Sequence, residues 1–361
     1  MRNIILILGL FLLMSCNSSG KKEQLTDDTQ YRVIVDALGR SVKLPDTISG
    51  AICIRASALR LVSYAGGAPF ITGVEEPELR NREYSHLCAF PYLATKPSIG
   101  PNMGGDIERI IGVNPDVIFM STTTVADADE LQSKVGIPVV TIEYGDMGRN
   151  RETFYSSLRT IGRVLGTERH VDSLIQYVNA QIADLKERTE GLSHRPDVYV
   201  GGISYKGSKD ITSTDPYYAA LEMIQTRNVA DVIDPRFVSP ITGTYIDIEA
   251  LITWNPEVIF VDYYGMDLVK DNFRTNTALL QTTKAGANHS VYQIWPYNNY
   301  HSNFDVMLMN AWYMGKILYP DRFADVDMNE KVNEISNSFY GQPIGDCLTG
   351  FWGNYSLTPV L

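Results

Sequence analysis

Asp106-Ile107-Glu108-Arg109-Ile110-Ile111-Gly112-Val113-Asn114-Pro115-Asp116-Val117-Ile118-Phe119 returns later in the chain as Asp247-Ile248-Glu249-Ala250-Leu251-Ile252-Thr253-Trp254-Asn255-Pro256-Glu257-Val258-Ile259-Phe260. Nine of the fourteen positions are identical without a gap, and the copies stand 141 residues apart. Each copy reads as a short helix, a turn at Asn-Pro and a buried strand. Asp is a favourable N-cap, and an acid in the first turn suits the positive end of a helix. Asn-Pro disfavours helix continuation, and the β-branched and aromatic run after it suits a strand covered on both faces. Two similar halves are therefore expected, with Glu108 and Glu249 at matching places.

At 361 residues with 44% apolar content, the chain has material for two cores. A net charge of −11 argues against nucleic acid, whose phosphates demand a basic surface. Arg2, the apolar run Ile4 to Leu13 and then Met14-Ser15-Cys16 have the layout of a signal peptide, too short to span a bilayer. Leu13-Met14-Ser15-Cys16 is similar to a bacterial lipobox, which implies cleavage before Cys16, a lipid on its sulfur and an extracytoplasmic protein on a polar tether over 16–30. Cys53 reads as a small core residue, and no CxxC pair suggests structural zinc. Cys88 and Cys347 could pair in an oxidising compartment, but their spacing does not require it.

The chain in order gives a hairpin around Gly39, in which Val33 and Val35 alternate before Val42 and Leu44. Strands follow at Ala51 to Ile54, Phe70 to Val74, Val117 to Phe119 and Pro138 to Ile142, with helices between them. Thr153 to Glu190 reads as nearly continuous helix. In its second part Val171, Leu174, Ile175, Val178, Ile182 and Leu185 share one face, a rod of roughly 30 Å. A second set follows: strands at Asp197 to Ile203, Val258 to Phe260 and Val291 to Trp295, and a buried helix over Phe304 to Leu318. The expected fold class is α/β, two Rossmann-like lobes (31–147 and 196–361) with mainly parallel sheets, joined through a rigid helical segment over 148–195.

Ligands of open parallel sheets bind beyond the carboxyl ends of the strands. The polar residues that follow the strands here are Arg55 and Ser57, Thr122, Tyr205, Tyr263, and Tyr297, Tyr300 and His301. Thr212 and Ser213 precede a helix expected near Pro216, where they either cap it or form an anion site. Facing loops on two lobes would make a ligand cleft of mixed aromatic and hydrogen-bonding character. Arg55 could equally pair with a carboxylate, and Tyr263 could be plain packing. Glu108 and Glu249, taken as a pair, suggest a two-pronged surface for arginines of a partner.

Enzymatic patterns are missing. The histidines form no HExxH, the Gly202-to-Gly207 segment places its second glycine too late for a nucleophile elbow, and no Walker A or GxGxxG follows a strand. No cofactor is implied, and a zinc or manganese cluster lacks its ligands. A hydrolase built on Ser204 and His301 is the remaining reading from another class.

Several stretches together resemble the extracytoplasmic substrate-binding lipoproteins of ABC importers for iron chelates, haem and vitamin B12, the TroA-like class III periplasmic binding proteins. They are Asp36-Ala-Leu-Gly39-Arg40, Ala58-Leu-Arg-Leu61, the two repeat copies, Gly201-Gly202 with Gly207, Thr212-Ser-Thr214, Asn228-Val-Ala230, and Pro296-Tyr-Asn298 with Leu318-Tyr-Pro320. The resemblance implies limited closure on a cargo and no catalysis. It also implies docking of Glu108 and Glu249 on arginines of a permease dimer, by a binding protein expected to be a monomer. An iron chelate is the expected cargo, with a cobamide or a molybdate or tungstate oxyanion as alternatives.

Overall fold

The computed structural model describes residues 31–238, 244–277 and 281–361. The expected signal peptide over 1–15, the tether over 16–30 and the lipidation position Cys16 lie outside the described residues.

β1 (Tyr31–Val35) and β2 (Ser41–Pro45) form the hairpin expected around Gly39. Its register places Ile34 beside Val42 and Arg32 beside Leu44, and this face meets the core. Val33 and Val35 lie opposite Lys43 and Ser41 and point outward.

The first lobe is built on β3 (Ala51–Ile54), β4 (Ile71–Gly73), β5 (Val117–Ser121) and β6 (Val139–Ile142), in the order β4-β3-β5-β6 and parallel throughout. Its helices are α1 (Ala58–Tyr64), α2 (Glu76–Arg80), α3 (Ser85–Ala89), α4 (Ile107–Gly112) and α5 (Val125–Val135). Each strand is almost wholly apolar because both faces are covered.

Thr153 to Glu190 falls within two successive helices and the turns after them. α6 (Arg151–Leu165) ends at Gly166, whose φ of 73° only glycine adopts freely, and α7 (Glu168–Arg188) starts afresh beside it. α7 buries the six residues of the expected stripe and, at 21 residues, spans about 30 Å.

The second lobe contains β7 (Asp197–Gly201), β8 (Ser213–Thr214), α8 (Ala219–Met223), β9 (Arg227–Asn228), β10 (Thr244–Tyr245), α9 (Ile248–Trp254), β11 (Val258–Asp262), α10 (Met266–Thr275), α11 (Lys284–Ala287) and β12 (Val291–Ile294). β9, β7, β11 and β12 run parallel, while β8 and β10 add an antiparallel edge. α12 (Phe304–Leu318), α13 (Met328–Tyr340) and α14 (Gly345–Trp352) complete the chain.

The repeat survives in three dimensions. β5 and β11 begin and end 141 residues apart, Ile110 and Leu251 are fully buried at matching helix positions, and Asn114 and Asn255 both adopt left-handed φ values of 44° and 49°. The caps differ: Asp106 accepts from Arg109 N at 2.9 Å, whereas Asp247 makes no side-chain cap bond.

Two separate cores do not result. One large apolar cluster runs from β5 (Phe119) through α1 and α7 to β11 (Phe260), α12 and α14, and each sheet adds a smaller cluster on its far side. Cys53 is the buried free thiol expected, while Cys88 of α3 and Cys347 of α14 form a disulfide. α14 is tied in turn to the second sheet, through Gln293 Nε2 to Trp352 O (3.3 Å) and Trp295 Nε1 to Gly353 O (3.0 Å). The disulfide therefore joins the two lobes covalently.

Candidate functional site

Left-handed, non-glycine backbone gathers where strands end. Arg55 (φ 73°) and Ser57 (φ 56°) follow β3, Thr122 (φ 47°) follows β5, Lys206 (φ 50°) follows β7, and Tyr300 (φ 53°) and His301 (φ 73°) follow β12. Such residues cost of order 1–3 kcal/mol each, persist only when the surroundings hold them, and cluster at binding sites.

Arg60 organises the region between the lobes. It is fully buried on α1, and its Nη1 donates to Ser57 Oγ at 2.7 Å. The same guanidinium reaches the other lobe, with Nη2 to Asn299 O at 2.9 Å and Nη1 to the carbonyls of Tyr300, His301 and Ser302 at 3.2–3.3 Å. Around it, Tyr300 donates to Asn102 Oδ1 (2.8 Å) and Glu75 Oε2 (3.2 Å), and its ring stacks on Tyr84 at 5.7 Å. Asn299 Nδ2 donates to Tyr264 (2.7 Å) and Glu83 Oε1 (3.3 Å). His301 lies against the Tyr144 ring at 3.8 Å, and its Nδ1 accepts from Ser302 N. Burial, with the charge of Arg60 adding to it, pushes the His301 imidazole down to about 4, so it is neutral.

Two buried carboxylates flank this loop. Glu75 accepts from Arg55 N and Tyr300, and Asp262, at the end of β11, accepts from Ser204 Oγ at 3.2 Å and Tyr264 N at 3.1 Å. Among the described residues, one oxygen of each, Glu75 Oε1 and Asp262 Oδ2, has no hydrogen-bond partner. Burial raises both acids to about 7. Ser204 therefore meets a carboxylate and not His301, so the pair imagined for a hydrolase is not assembled.

At the ends of β5 and β6 a cavity of about 380 Å³ opens on the first lobe, lined by Thr122, Thr123, Thr141, Tyr144, Asn150 and Thr153 among others, and of these Tyr144 lies against the ring of His301. Its polar wall is mostly hydroxyl and amide, with the exposed Glu143 among its lining residues.

The remaining expected residues are placed as follows. Arg55 pairs with Asp127 at 3.0 Å and donates to Thr122 O at 2.8 Å. Tyr297 is buried and donates to Asp215 Oδ2 at 2.8 Å. Tyr263 donates to Phe351 O at 3.0 Å, and Tyr205 is half-buried beside Lys206. Thr212 to Thr214 is no helix start, because Ser213 and Thr214 form β8 and α8 begins only at Ala219. Their hydroxyls donate to Ile203 O and Val200 O, both at 2.7 Å, and Thr212 donates to Asp210 at 2.6 Å. Glu108 and Glu249 are exposed in the first turns of α4 and α9.

Sequence reading did not single out Arg60, Glu75 or Tyr144, and it named Asp262 only as the start of the polar loop Asp262 to Tyr264. Asp262 alone carried a local signal, as the acid directly after the second repeat strand. Arg60 sits in an apolar helical run, and its partners are about 240 residues away.

The family described as periplasmic binding protein matches residues 53–297. The molybdate-binding protein MolA of Haemophilus influenzae is 24% identical over 352 residues, covering 91% of this chain and 95% of that protein. The structure of MolA bound to molybdate superposes with a TM-score of 0.65 at 23% identity, covering 86% of this chain and 98% of that one. A periplasmic solute binding protein from Veillonella parvula gives 0.69 at 20% identity, covering 90% and 97%. The periplasmic catecholate-siderophore binding protein VctP of Vibrio cholerae gives 0.57 at 19% identity, covering 78% and 97%. With a two-lobed α/β body, polar loops meeting between the lobes and a family match over most of its length, this chain belongs to the periplasmic binding protein family, whose members deliver small ligands to an ABC permease.

Proposed function

We propose that the cargo is a compact oxyanion of the molybdate and tungstate class, held where the strand ends of the two lobes converge. The observation that carries this reading is the cavity of about 380 Å³ at the ends of β5 and β6, lined in the first lobe by Thr122, Thr123, Tyr144, Asn150 and Thr153 and bordered by the second lobe through the contact of the Tyr144 ring with His301. The threonine hydroxyls around this small space suit a hydrogen-bond-accepting anion, with Glu143 the one carboxylate in the lining and Tyr144 and Asn150 already bonded to Ser57 O and Asp146, and the volume is at the low end of the ~300–1,000 Å³ of ligand pockets. The likeness to MolA over 91% of this chain supports the same class. Arg55, Ser57, Tyr205, Tyr263, Tyr297, Tyr300 and His301 are assigned to the surrounding shell. Thr212 and Ser213 are assigned only a supporting role, because their hydroxyls already serve Asp210 and Ile203.

A second reading keeps the iron chelate. The half-buried aromatic groups at the lobe junction, Tyr264 and Tyr300, the latter backed by the buried Tyr84, suit a planar or catecholate ligand, and VctP shares the fold.

The rest of the assignment follows from chemistry. Glu108 and Glu249 are the exposed carboxylates through which a permease dimer grips the two lobes. Residues 31–147 and 196–361 act as the lobes and 148–195 as their connection. A monomer anchored through a lipid on Cys16 would work outside the cytoplasm, where the Cys88–Cys347 disulfide persists. A thermal-shift screen with molybdate, tungstate, ferric siderophores, haem and cobalamin tests the ligand class. The oxyanions should raise the melting temperature at micromolar concentration, and stabilisation by a chelate alone would select the second reading.

A further inference from the structure

Tyr300 and His301 are consecutive, bear large side chains and both occupy the left-handed region. That curl brings the carbonyls of residues 299 to 302 onto one point, and the point is occupied by the guanidinium of Arg60 from the opposite lobe. The planar fork of arginine suits several acceptors at once, which a lysine ammonium on a flexible stem does not match. Ser57 Oγ at 2.7 Å and the Tyr144 hydroxyl at 3.4 Å hold the same Nη1 from behind. Among the described residues no carboxylate accepts a hydrogen bond from this side chain; its acceptors are neutral oxygens, four of them backbone of the other lobe.

We infer that Arg60 is a positioning residue, an interlobe latch that imposes the curled form of the 297–303 loop and thereby presents Tyr300 and His301 to the cargo. Because it reads backbone carbonyls, the latch acts independently of the loop's side chains. It rests on the reading that cargo is bound between the lobes, and it adds a mechanism: closing the lobes and shaping the binding loop are one event. The loop side also contributes, since Asn303 N donates to Tyr297 O and closes the base of the turn.

The test is hydrogen exchange on the cargo-free full-length protein, compared with Arg60→Met and Arg60→Lys. Arg60→Met should speed exchange of amides within 297–303 by at least about tenfold, leaving β5 and β11 unchanged, and Arg60→Lys should not restore the protection. Molybdate, used as the probe, should then leave Arg60→Met about tenfold faster than wild type. Unchanged loop exchange, or equal loosening throughout both lobes, would overturn the latch. So would full rescue by lysine. If neither variant folds, guanidino-nitrogen NMR of the wild type decides. Arg60 Nη protons shielded from solvent and close to residues 300–302 support the latch, and rapidly exchanging ones refute it. The exchange and NMR readouts need no cargo, so failure of molybdate to bind would count against the proposed ligand without touching them.

Discussion

The Tyr64 hydroxyl, on the first helix of one lobe, donates to Asp305 Oδ1 at 2.7 Å in the first turn of α12, and both residues are fully buried. Tyr340 donates to the other carboxylate oxygen at 3.0 Å, and Phe304 N donates back to Tyr64 at 3.2 Å. Three elements distant in sequence are thus locked around one carboxylate. Tyr64→Phe keeps the ring against Phe339 but removes a donor to a buried acid, and should cost about 1.5–3 kcal/mol. Urea denaturation measures it, and a loss under about 0.5 kcal/mol would show that the network tolerates the gap.

The Cys88–Cys347 disulfide closes a loop of 259 residues and links α3 to a helix tied to the second sheet. Removing it through Cys88→Ser with Cys347→Ser should cost about 2–4 kcal/mol, mainly by freeing the unfolded chain. The same loss should follow reductant treatment of the wild type, and denaturant melts with and without dithiothreitol compare the two. A variant as stable as the oxidised wild type would contradict the account.

Much of this architecture was legible before the fold was known. The repeat fixed the matching β5 and β11 because short-range periodicity and an Asn-Pro break are local signals. The stripe on α7 and the wholly apolar face of Phe304 to Leu318 were readable for the same reason. The split between α6 and α7 was missed because helical periodicity continues on both sides of Gly166-Thr167. Ser213 and Thr214 were misplaced because a hydroxyl run has no period, and here the edge of a sheet claimed it. Arg60 and Glu75 were invisible for a different reason: their roles depend on a loop more than 200 residues away. The hairpin around Gly39 was legible from its alternation, which does not say which face is covered: Val42 and Leu44 face the core, while Val33 and Val35 face solvent.

The buried acids and His301 act oppositely on stability as pH changes. Glu75 and Asp262 stand at about 7 in the folded state against ordinary values of 4.5 and 3.8, so the folded protein holds protons that the unfolded chain has lost. Stability from these groups therefore falls as pH rises from about 4 to 7 and is level above that. His301 is lowered to about 4 from 6.5, so its contribution is present above about 6.5 and is lost as pH falls towards 4. Asp262→Asn with Glu75→Gln should make the fall between pH 4 and 7 shallower, and His301→Gln should make it steeper. Melting temperatures between pH 4 and 8 separate the two, and identical profiles for all three proteins would refute both assignments.

Glu108 and Glu249 are exposed at equivalent first turns. Under the proposed docking role, replacing both by alanine should abolish uptake in cells while leaving cargo affinity within about threefold, since the carboxylates would meet the permease and not the ligand. Each single change should fall between. Calorimetry alongside an uptake assay checks this, and a large loss of cargo affinity would move the acids into the binding site.

On the proposed reading a small oxyanion sits where the strand ends of the two lobes meet. Crystals grown with tungstate give the most direct test, since the anomalous signal of tungsten marks its position without regard to phases from any similar protein. The account predicts one dominant peak per chain beside Thr122, Tyr144 and His301, within hydrogen-bonding reach of their donors. A peak confined to the outer surface, or none at saturating tungstate, would contradict it.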